Sequence, residues 1–80
     1  MGGSLVRVFA AGIEDETTRR AIIAAVNGDD LASTHAANIY DDSTRNAIQE
    51  IIKGGNNLVK VFISGITDVA TRRAVTELSK

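Results

Sequence analysis

Leu58-Val59-Lys60-Val61-Phe62-Ile63-Ser64-Gly65-Ile66-Thr67-Asp68, followed by Thr71-Arg72-Arg73-Ala74-Val75, is the stretch on which the reading of this chain turns, because nearly the same text occurs twice before it. Leu5-Val6-Arg7-Val8-Phe9 leads through Gly12-Ile13 and Asp15 to Thr18-Arg19-Arg20-Ala21-Ile22. Leu31 leads through Asn38-Ile39 and Asp41 to Thr44-Arg45-Asn46-Ala47-Ile48. The step of about 26 to 27 residues is the length of one strand plus one helix with short loops. Residues 1–4 read as an expression scar or disordered start outside the fold, and 5–80 as one domain of three repeats at 5–30, 31–57 and 58–80.

Working outward, Leu5 to Ala11 places β-branched and aromatic residues on both alternating faces, and Leu58 to Ile63 does the same. That pattern suits a strand covered on both sides, with Arg7 and Lys60 at an edge or strand end. The middle segment, Ala32 to Ala37, has low strand propensity and reads as a strand by register or as a helix from about Asp30 to Tyr40. Gly12, Asn38 and Gly65 occupy equivalent places, which predicts a left-handed residue there. Asp15, Asp41 or Asp42, and Asp68 stand where a helix N-cap belongs. Beyond them Thr18, Ala21, Ile22, Ala25 and Val26 share one helical face, as do Thr44, Ala47, Ile48, Ile51 and Ile52, and then Ala74, Val75 and Leu78. Gly28 and Gly54-Gly55 read as helix stops.

The expected fold class is therefore α/β: three βα units with a small, mostly parallel three-stranded sheet packed by helices, in strand order 1-2-3 or 2-1-3, with a ferredoxin-like α+β fold as the alternative. Such a sheet leaves edges open, so the expected partner is a second copy of the chain through a sheet edge or face.

Composition narrows function more than it assigns one. A net charge of −1 gives no overall basic excess to draw the chain onto nucleic acid. With no cysteine there is no disulfide or thiolate site, and no apolar run approaches the roughly 20 residues of a membrane span. The expectation is a cytoplasmic domain, not an enzyme, with no cofactor and no metal. His35, the single histidine, has no second imidazole or thiolate to share a metal with. The acidic pairs Asp15-Glu16, Asp29-Asp30 and Asp41-Asp42 read as caps and solubility charges. Neither GxGxxG nor a Walker lysine follows the glycines, and an acid already sits at each helix start, which argues against a nucleotide. One candidate surface remains: Arg19, Arg20, Arg45, Arg72 and Arg73 recur at the first turns of the helices and would suit an anionic partner if the helices shared a face.

Three resemblances accompany this reading. Lys60 to Ile66 with Asp68-Val69 resembles the first strand and helix start of an RNA-recognition motif, and Ser43 to Ile51 is similar to that family's second helix, in the opposite order. Asn38-Ile39-Tyr40-Asp41 with Ala47-Ile48, Asn56 and Leu58 resembles a ribonuclease-inhibitor-type leucine-rich repeat. The whole chain, repetitive and without proline where natural chains average about 5%, resembles an artificial, de novo designed or engineered βα-repeat protein. That last resemblance implies no native activity and a structural role. The alternative is a small interaction module that binds protein or RNA through an open sheet face or the arginine stripe.

Overall fold

The computed structural model describes residues 3–80, and Met1 and Gly2 of the expected scar or disordered start lie outside the described residues. Among the described residues the chain is entirely helical. Its elements are α1 (Gly3–Ala11), α2 (Glu16–Asn27), α3 (Leu31–Ala37), α4 (Asp42–Ile52), α5 (Leu58–Ser64) and α6 (Val69–Leu78). The α/β expectation and its α+β alternative are both overturned. Each segment read as a strand is the short first helix of its unit, so neither sheet edge nor sheet face exists here as an interface. Lys60 to Ser64, which resembled a recognition-motif strand, lies within α5, and Asn38 to Asp41, which resembled part of a leucine-rich repeat, is the connection between α3 and α4. Gly3 and Ser4 belong to α1.

The physical reason lies in the spacing of what is buried. Val6, Ala10 and Ile13 are shielded from solvent, as are Ala32, Ala36 and Ile39, while Val59 and Ile66 are buried with half-buried Ile63 between them. Positions i, i+4 and i+7 make one helical stripe. Among the residues that suggested a two-sided strand, Val6 lies in this stripe while Val8 and Val61 point away from it, at 64% and 62% exposed. A β-branched residue in a helix forfeits only a few tenths of a kcal/mol of propensity. Burial of a continuous apolar stripe outweighs that, at about 1.5–3 kcal/mol for each fully covered Val or Ile. Gly12, Asn38 and Gly65 do not turn left-handed: Asn38 has φ −96° and Gly65 φ −88°, and the positive values fall on Gly28, Gly54 and Gly55.

The longer helices match the sequence reading. Asp15, Asp41 and Asp68 are the N-caps of α2, α4 and α6, in extended backbone. Gly28 closes α2 at φ 71°, its N–H bonded to Ala25, and Gly54 and Gly55 carry the chain away from α4 at φ 124° and 78°.

The six helices form a closed ring in which each packs on the next and α6 returns to α1. α2, α4 and α6 also touch one another, so they are the inner helices and α1, α3 and α5 the outer ones. The core sits where the inner helices meet: Ala21, Ala47 and Ala74 are fully buried, as are Ile22, Ile48 and Val75. Alanine at one equivalent position lets the helices approach, and the branched residue beside it fills the space between them. The repeat thus appears in space as a pseudo-three-fold axis, and the dimensions, 25 × 25 × 24 Å, are nearly equal in all directions.

Candidate functional site

At one end of the pseudo-three-fold axis the N-termini of α2, α4 and α6 converge on a depression of about 320 Å³. Its walls repeat around the axis: Thr18, Thr44 and Thr71 at the sides and Asp15, Asp41 and Asp68 above, with Ile13 and Ile66 below. The threonines are buried, at 3–4% exposure, and the aspartates are exposed. Equivalent rim positions carry Glu14, Tyr40 and Thr67, and Tyr40 is 96% exposed.

Each aspartate is bound by the threonine three residues on. Asp15 Oδ2 accepts from the Thr18 amide at 2.9 Å and its hydroxyl at 2.6 Å. Asp41 accepts from Thr44 at 3.0 and 2.7 Å, and Asp68 from Thr71 at 3.0 and 2.7 Å. One oxygen thus satisfies a free helix N–H and a buried hydroxyl together, which is why threonine can be buried there at all. These bonds favour the charged carboxylate. The Thr18 hydroxyl first and then its amide, with a lesser contribution from the Arg19 charge, hold Asp15 below the usual carboxylate range against the opposing effect of burial. Asp68 is lowered in the same way by the Thr71 hydroxyl and amide.

The arginines follow the same rule. Arg19 Nη1 donates to the Ile13 carbonyl at 2.7 Å, Arg45 to that of Ile39 at 2.9 Å, and Arg72 to that of Ile66 through Nε at 2.9 Å and Nη2 at 2.6 Å. Each clamps the loop entering its own helix from six residues away. This role was missed in the sequence, although the constant Ile-to-Arg spacing of six carried the signal. Arg45 also pairs with Asp42, and Arg20 meets Glu16 at 3.3 Å. The Arg73 guanidinium lies 5.9 Å from the centroid of the Phe9 ring on α1. The five arginines of the candidate anionic-partner surface therefore stand on three helices distributed around the axis. Three of them are committed to their own loops.

His35, half-buried on α3, lines a shallow hollow with Arg19, Arg20 and Asp29. Among the described residues no group of three or more His, Cys, Asp or Glu is placed to hold a metal ion. None of the described helices is long and apolar enough to cross a membrane. Chemically the axial depression is a ring of carboxylates, each with its Oδ2 already occupied as an acceptor by the threonine three residues on. Comparison with known proteins finds no family model, no curated protein and no solved structure that matches this chain.

Proposed function

We propose that this chain is a non-enzymatic helical repeat domain, of designed or engineered origin, whose role is structural. The observation that carries the reading is the fate of the polar groups around the axis. Asp15, Asp41 and Asp68 are spent on capping, Thr18, Thr44 and Thr71 on answering them, and Arg19, Arg45 and Arg72 on holding the loops. The side chains recurring in all three units are those that shape the backbone, and where the units differ at the rim they carry Glu14, Tyr40 and Thr67, three unrelated chemistries. Threefold repetition without proline supports the origin. Thermal melts against a panel of divalent cations, nucleotides and short oligonucleotides test it. The expected result is an unchanged Tm throughout. A Tm that climbs with the concentration of one compound overturns the reading.

A second reading, an interaction module for an anionic protein or RNA, is favoured by Arg20 and Arg73, which are exposed and not bonded to their own loops. Retention on heparin that falls steeply with salt and weakens in Arg73→Gln supports it. Elution in the void at low salt dismisses it.

A further inference from the structure

Every joint between units is built from the same two faces. The second helix of one unit meets the first helix of the next: α2 on α3, α4 on α5, and α6 back on α1. The buried residues that the first helix brings are equivalents, Val6 and Ala10 on α1, Ala32 and Ala36 on α3, Val59 with half-buried Ile63 on α5. These joints are more extensive than the packing inside each hairpin, so a unit's principal partner is its neighbour. Two joints are bridged by chain, through residues 28–30 and 53–57. The α6–α1 joint has the same construction with no chain across it.

The polar bonds respect the same boundaries. Among the described residues every hydrogen bond between two side chains, and every ion pair, closes inside one unit. Beside the two linkers a few bonds to backbone N–H cross, Leu31 and Ala32 donating to Asp29 and Leu58 and Val59 to Asn56; what otherwise crosses between units is apolar surface, together with the contact of Arg73 with Phe9. A hairpin that leaves such a joint strands few polar partners, and one that enters it needs only the matching apolar face.

We propose that the place filled by the α5–α6 hairpin, against α4 on one side and α1 on the other, accepts the same hairpin from a second copy of this chain, so that two chains exchange their third units. The exchanged particle makes the same joints as the single chain. Only the path of residues 53–57 differs, so the balance is set by that linker and by concentration. The linker is exposed along its length, and Gly54 and Gly55 already occupy φ values open to glycine. It is also longer than the joint requires, since the equivalent α2–α3 connection turns in three residues, 28–30.

Deleting Gly54–Asn57 tests this on the otherwise whole chain. One residue, Lys53, then separates α4 from α5, and a span of about 3.5 Å cannot reverse the chain between helices packed about 8–10 Å apart. The expected product is a discrete dimer, twice the 8.5 kDa chain mass by light scattering, with the circular dichroism of the undeleted protein. Equal mixing of isotopically heavy and light chains, unfolded and refolded together, gives a mixed dimer as about half of the total by native mass spectrometry. A folded monomer overturns the proposal, because the hairpin has then found its own chain. Loss of the helical signal, or aggregate without a defined mass, also overturns it, because the hairpin has then not been accepted in trans.

Discussion

The carboxylate of Asp41 ends two free valences at once, the first-turn amide of α4 and the hydroxyl of Thr44, and the same arrangement stands at Asp15 and Asp68. Because asparagine caps a helix about as well as aspartate, Asp41→Asn keeps most of this. Asp41→Ala leaves the amide and the buried hydroxyl without their acceptor, and is expected to cost about 1–2 kcal/mol in urea denaturation. Equal midpoints for the two variants would show that the cap is idle. Charge enters through pH. Asp15 and Asp68 have folded pKa values below the unfolded value of about 3.9, so the stability they confer is fully present above that value. It is lost as pH falls through the folded values. Chemical denaturation between pH 2 and 6 should show this acid limb, and Asp15→Asn together with Asp68→Asn should flatten it. An unaltered limb in the double variant would place the acid sensitivity elsewhere.

At the scale of the element, the two classes of helix differ in how plainly they were written. The N-cap, the Thr/Ala/Ile face and the terminal glycine all agree for α2 and α4, so those helices were legible with their ends. α1, α3 and α5 lack the aspartate-to-threonine cap three residues apart, α3 and α5 having only Asp29 and Asn56 on the amides of Leu31 and Leu58, and in α1 and α5 β-branched residues occupy both the buried and the exposed side. Alternation at Val6 and Val8 therefore looked like a strand, while the deciding i, i+4, i+7 relation of Val6, Ala10 and Ile13 ran past the glycine taken to end it. Asn38 misled for a related reason: its tolerance of positive φ suggested a turn, yet at φ −96° it bonds back to the Thr34 carbonyl, ending α3 without a left-handed residue. The helical assignment has its own assay. Val8→Ala and Val61→Ala, both at exposed sites, should each raise stability by about 0.5 kcal/mol, since alanine is the better helix former; in a strand the same change lowers it. The two glycines that end α1 and α5 should also part company. A methyl at Gly12 meets Ala70 Cβ at an ordinary 3.7 Å, whereas at Gly65 it collides with Ser43 Oγ and comes within 3.2 Å of its Cβ. Gly12→Ala is expected to be neutral or to stabilise by up to about 1 kcal/mol through the unfolded chain. Gly65→Ala should lower the Tm, as α5 moves off α4.

For the whole molecule, the period of the sequence was the durable observation, since it dictates three like units whatever their secondary structure. What it could not carry is the closure of the ring, because pairing of the last helix with the first leaves no mark at any single position: Val6 and Leu78 each read as an ordinary apolar residue of its own helix. That closure has a consequence in time. The α2–α3 and α4–α5 joints link segments a few residues apart along the chain, while the α6–α1 joint links its two ends. Bringing the ends together spans roughly four further doublings of loop length, an added entropic cost of about 2 kcal/mol, offset only when both faces are already formed. The ring should therefore close last. Val6→Ala, which removes about 2 kcal/mol of buried surface from that joint, is expected to accelerate unfolding in stopped-flow measurements and to leave the refolding rate nearly unchanged. A slowed refolding limb would place closure before the barrier. The native lifetime of the domain is then governed at the one joint that no peptide bond spans.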